Sequence, residues 1–193
     1  MANWASTTYV ITGKEDDIKE LYELINDFQE DIREPMEKDA DKSWEGNIAL
    51  ALGEDIEGKY LRGFIGYMEF EGDTLTIDAE EAWGVTDFKD VLLSHYKDMR
   101  ILFESVEWGD EYFVTNDVDK EHFSNRFAVY SIVDGDSNME EFETEEEALK
   151  SIASKLEVDT ITREGIEEWN KKHELAEDDA DNCISFYEYK VVD

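Results

Sequence analysis

Residues 59–83, KYLRGFIGYMEFEGDTLTIDAEEAW, constrain the fold more than any other stretch of the chain. Two apolar, aromatic runs flank EGDT, a turn signal, which predicts an antiparallel hairpin. In the second run Leu75, Ile77 and Ala79 alternate with Thr76, Asp78 and Glu80. One face of that strand is therefore apolar and the other polar.

The flanking segments supply partners for the hairpin. Residues 5–12, ASTTYVIT, are β-branched and aromatic and read as a strand. A helix follows, its apolar stripe made by Ile18, Leu21, Tyr22, Leu24, Ile25 and Phe28. Thr12 and Glu15 stand in the relation of a capping box, and Glu15, Asp16 and Asp17 suit the positive end of the helix dipole. The helix should end before Glu34-Pro35. Residues 29–43 are polar and read as a loop or mobile excursion. SWEGNIALALG (43–53) is a short helix with Trp44, Ile48 and Leu52 on one side, stopped at Gly53.

After the hairpin a second helix is expected, N-capped by Thr86 and buried through Phe88, Val91, Leu92, His95, Tyr96 and Met99. Two strands follow at 100–108 and 111–115. The order β-α-β-β-α-β predicts an α+β fold of the ferredoxin-like, split βαβ kind: an antiparallel sheet with helices on one face. The expected first domain is 1–120, with a short helical insert at about 29–58. Residues 121–193 are expected as a strand-helix-helix-strand extension packed on the same sheet, because one hairpin's worth of strand makes a poor core alone. The acidic run ELAEDDADN (174–182) joins its last two elements.

Opening NW, the strand running into TG, RGFIGYMEFEGDTLTIDAEEAW and the strand ending FVTND (113–117) together resemble the YubB-type, ferredoxin-like domain family over roughly residues 1–120. Those proteins are encoded by plasmids, phages and gut bacteria. The resemblance implies a ferredoxin-like sheet and an association with mobile elements, but no catalytic residues. The family commonly has a cysteine after the opening Asn-Trp, where this chain has Ala5.

Charge sets the functional expectation. The chain has 52 acids against 18 bases, a net charge of −34. Residues 1–60 hold 16 acids and 6 bases, 61–125 hold 16 and 5, and 126–193 hold 20 and 7. The acidity belongs to the whole fold and not to a tail. It argues against direct binding of nucleic acid or of an anionic membrane, both of which need basic patches. No apolar run approaches the ~20 residues of a membrane span, and no secretory signal is visible, so a cytoplasmic protein is expected.

The remaining motifs are weak. Cys183 is expected as a small buried residue, and a single cysteine excludes an internal disulfide. His95, His122 and His173 lack metal-ligand spacing, and His95 is expected in the core. Asp134, Asp136, Asn138 and Glu145 fall at ligand positions of an EF-hand loop, but Met139 stands where the sharp turn needs glycine. A turn from strand into helix is the simpler expectation, supported by the Thr144–Glu147 capping box. Glu80 and Glu81 beside Trp83 suggest acid-base chemistry, yet adjacent strand residues point to opposite faces.

The leading expectation is a non-enzymatic acidic module, without cofactor, that binds a basic, nucleic-acid-binding host protein, as a DNA mimic occupying the groove of a restriction or CRISPR nuclease. Its expected contact residues are Glu20, Glu23, Asp27, Asp78, Glu80, Glu140, Glu141 and Glu143. The alternatives are a carboxylate site for a small ligand or divalent metal, and an acidic assembly protein.

Overall fold

A computed structural model describes residues 3–174 and 182–192. It has five helices and two sheets, an α+β architecture. The chain divides into two compact units. The first runs to Asp117 and takes in Val192 at the chain's end, and the second is Val118–Val191.

In the first unit, β1 (Trp4–Thr12), β2 (Gly63–Glu71), β3 (Thr74–Ala82), β4 (Arg100–Glu107) and β5 (Tyr112–Thr115) lie in the order β2-β3-β1-β4-β5. Every neighbouring pair is antiparallel. Gly72, in the left-handed region, closes the predicted hairpin between β2 and β3. Register puts Tyr9 between Ile77 and Phe103, and Ile11 between Leu75 and Ile101. These side chains form one buried face, because strand side chains alternate.

Helices α1 (Glu15–Gln29), α2 (Glu45–Ala51) and α3 (Phe88–His95) cover that face. Ile18, Leu21, Ile25 and Phe28 of α1 enter the same core as Ile48 of α2 and Phe88, Val91 and Leu92 of α3. Fully burying an aliphatic or aromatic side chain contributes about 1.5–3 kcal/mol, so this core dominates the unit's stability.

Local expectations fare unevenly. Glu15, Asp16 and Asp17 do occupy the first turn of α1, but Thr12 does not cap it. Strand β1 runs through Thr12, which pairs with Thr74 and Arg100, so the helix starts too late for the capping box. Residues 36–43 are fixed by the fully buried Asn47. Its Oδ1 accepts from Met36 N–H, and its Nδ2 donates to the carbonyls of Asp41 and Lys42. His95 is exposed at the end of α3, its ring 4.6 Å from that of Tyr96, because the helix turns it away from the core.

The second unit contains β6 (Phe127–Val133), β7 (Asp136–Phe142), α4 (Glu145–Lys155), α5 (Arg163–Glu174) and β8 (Cys183–Glu188). Its strands β6, β7 and β8 pair with one another in the order β7-β6-β8. The strand missing from the expected extension is β7. Asp134 and Gly135, both at positive φ, form the turn that folds it back on β6. With three strands, the unit builds a core from Val129, Ala148, Ile152, Ile166 and Ile184. The Thr144–Glu147 capping box is present at the start of α4. Cys183 is half-buried, not buried, and unpaired with any other cysteine. Most of the 174–182 run lies outside the described residues.

Candidate functional site

Within the first unit the acidic residues singled out in the sequence do not converge. Glu20, Glu23 and Asp27 follow the outer side of α1, above the covered face of the sheet. Asp78 and Glu80 alternate with the buried Ile77 and Ala79, so they stand on the opposite face. Asp78 accepts a 2.7 Å hydrogen bond from Thr8 Oγ1. Glu140, Glu141 and Glu143 belong to the second unit. There Glu140 pairs with Lys155 and Glu141 accepts from Asn125 Nδ2.

The EF-hand pattern is not a loop. Asp134 is in the hairpin turn, Asp136 and Asn138 are in β7, and Glu145 begins α4, where it pairs with Arg163 at 2.6 Å. A strand holds its residues too extended to wrap an ion. Among the described residues no group of three or more potential ligands gathers as a metal site.

What the fold does bring together is a pair of glutamates. Glu45, the first residue of α2, and Glu81, near the end of β3, are both 0% exposed. Glu81 is in phase with Leu75, Ile77 and Ala79 and so points into the core. Its cross-strand neighbours are Ala5 and Gly63, two small residues that leave room for a second carboxyl group. A Cβ on Gly63 would lie 2.2 Å from Glu45 Oε1, so only glycine fits there.

Glu81 Oε1 accepts from Tyr9 OH at 2.7 Å and from Thr86 N–H at 3.0 Å. Thr86 Oγ1 stands between the two acids, 2.8 Å from Glu45 Oε2 and 2.7 Å from Glu81 Oε1. It has one hydrogen and cannot donate fully to both. Glu45 Oε1 and Glu81 Oε2 accept from no donor at all. The two carboxyl groups are themselves within hydrogen-bonding reach, so a proton on Glu45 supplies the donor that the pair lacks. Burial, and then the Glu81 charge, hold the Glu45 carboxyl well above the usual carboxylate range. Burial first, and then Glu81 and Glu45, likewise push the Tyr9 phenol up, which keeps it a donor.

This arrangement ties α2, β1, β3 and the approach to α3 through the hydrogen bonds of Tyr9, Glu81, Thr86 and Glu45. Both acids are wholly enclosed. Sequence reasoning separated Glu80 from Glu81 correctly but overlooked Glu45. The available signal was phase: Glu81 continues the buried 75-77-79 series, and Glu45 lies one turn before the buried Ile48 and Ala49.

The fold and site define an acidic α+β protein with a buried pair of carboxyl groups, and among the described residues the acids other than Glu45, Glu81 and Asp117 are at least partly exposed. Comparison with protein-family models and with curated proteins finds no match for the chain. Among the described residues no helix is long and apolar enough to cross a membrane.

Proposed function

We propose that the protein is a non-enzymatic, strongly acidic binding module that engages a basic, nucleic-acid-binding protein, and that it acts there as a DNA mimic. The observation that carries this reading is where the charge lies. Among the acids of the described residues only Glu45, Glu81 and Asp117 are buried, so most of their charge is at least partly displayed. Glu20, Glu23 and Asp27 step along one side of α1 at three and four residues, which spaces neighbouring carboxylates about 5–6 Å apart. Phosphates along a DNA strand are a few ångströms apart, and a basic groove responds to either.

The strand order β2-β3-β1-β4, all antiparallel, with helices after β1 and β3, supports reading the first unit as ferredoxin-like. We extend this to the YubB-type resemblance and to a mobile-element setting, in which a blocked restriction or CRISPR nuclease would be the target.

Affinity capture from bacterial lysate tests the reading. Nucleic-acid-binding proteins should be recovered at low salt, lost at high salt, and competed away by duplex DNA. Recovery of none, or retention indifferent to duplex DNA, overturns it.

A further inference from the structure

The first unit's sheet has helices on one face, and on the other face Val10 and Leu102 are buried as well. Around the start of β1 and β2 and the end of β3, that second face carries aromatic side chains that the core does not use. Trp4 is 42% exposed and Tyr67 57% exposed. The Trp4 ring packs 5.6 Å from Phe64, centroid to centroid. Cross-strand register sets acids among them, because Phe64 is opposite Glu80 and Tyr67 is opposite Asp78. A bulge between Ile65 and Tyr67 keeps both aromatic residues on this face.

Phe64 also forms one wall of a pocket of about 320 Å³, completed by Trp44 and by Glu37, Lys38, Asp39 and Asp41 from the preceding loop. That loop is pinned by Asn47, and Trp44 is fixed by donating Nε1–H to the Leu61 carbonyl at 2.6 Å. Serine hydrogen bonds from Ser43, side chain first and then backbone, hold the Asp41 carboxyl below its usual range. The pocket therefore presents two aromatic rings, three carboxylates and one amine.

We propose that this aromatic and acidic patch is the docking surface for an arginine-rich segment of the basic partner, one guanidinium entering the pocket between Trp44 and Phe64. The proposal rests on the acidic-module reading above and gives it a place. Aromatic faces attract cations, and a guanidinium stacks on a ring while its fork of donors reaches carboxylates. Lysine has the charge without the plane. A second copy of this chain would bring another net −34 to the same face, and repulsion opposes that pairing. Strand addition at the β2 edge is blocked at this end, because Ile65 N–H already donates to Ser43 O and Phe64 bridges to Trp44.

The test is direct binding of a polyarginine peptide and a polylysine peptide of equal length to the full chain at low salt. Three variants decide it. Trp4→Ala/Tyr67→Ala removes the exposed rings, Glu37→Gln/Asp39→Asn removes pocket charge, and Glu20→Gln/Glu23→Gln removes the same charge from α1. The wild type should prefer polyarginine. The aromatic variant should lose about fivefold or more of that affinity, with less effect on polylysine. The pocket-charge variant should weaken binding more than the α1 variant. Equal losses in the two charge variants together with an unchanged aromatic variant overturn the docking surface while leaving the acidic-module reading intact. A wild type that binds neither peptide overturns both.

Discussion

Replacing Glu45 with glutamine separates the cost of holding a proton from the value of the hydrogen bonds. Burial, and then the Glu81 charge, hold the Glu45 carboxyl well above the ordinary glutamate value of 4.5, so the folded state keeps a proton that the unfolded chain has released. For a group shifted in this direction, the stabilising contribution is complete below the unfolded value and is lost as pH rises toward the folded one. Each pH unit across that window costs the folded protein about 1.4 kcal/mol. In Glu45→Gln the amide keeps a donor beside Glu81 and has no proton to lose. The two proteins should therefore be about equally stable near pH 4.5, where the wild-type unfolded chain also begins to hold the proton. Above it the variant should gain on the wild type by up to about 1.4 kcal/mol per pH unit, levelling once the folded carboxyl itself ionises. Urea denaturation at a series of pH values from about 4.5 to about 8 reads the difference directly. Parallel profiles for the two proteins would refute the shared proton. A variant less stable throughout, whose deficit still narrows as pH rises, would show that the amide fits poorly while the proton on Glu45 stands.

Three further outcomes follow from the packing. Gly63→Ala drives a methyl group into the Glu45 carboxyl and should cost about 1–3 kcal/mol in denaturant unfolding; a neutral result would mean that the backbone of β2 does not approach the pair this closely. Thr144→Ala removes the hydroxyl that accepts from Glu147 N–H in the α4 capping box and should cost about 1 kcal/mol, read in the same assay, whereas Thr12→Ala should show no capping loss because α1 has no side-chain cap. Micromolar calcium should leave the melting temperature unchanged, while higher concentrations of calcium, magnesium or sodium chloride should all raise it gradually by relieving self-repulsion. A calcium-specific rise abolished by Asp134→Ala would instead restore the metal reading of the 134–145 segment.

The first unit was legible because its strands are amphipathic. Leu75, Ile77 and Ala79 announce a face, and EGDT announces a turn. The second unit was not, because β7 is nearly all polar. Its residues Asp136 to Glu141 offer no apolar alternation, and the only sign of the hairpin was the Asp134-Gly135 pair. That pair reads as a turn from strand into helix, and without β7 the segment shows only one hairpin's worth of strand. The candidate site failed for the opposite reason. In a chain with 52 acids, two more carry no signal as residues, and only their phase in a strand and in a helix marks them as buried.

The buried pair and the aromatic and acidic patch are not independent. Glu45 follows Trp44 directly, so whatever anchors Glu45 also anchors the ring that walls the pocket. Glu81 follows Glu80 directly, so the strand that supplies the buried acid also supplies an exposed one. A proton lost from Glu45 would leave two adjacent charges in the core, and the least costly relief is for α2 to withdraw its first residue. That movement would carry Trp44 away from Phe64 and open the pocket. Binding of polyarginine should therefore weaken as pH rises through the folded Glu45 transition in the wild type, although its acids lose no charge. In Glu45→Gln the same titration should be flat. A wild-type affinity that stays constant across the range in which its stability falls would show that the buried pair holds the core without governing the surface.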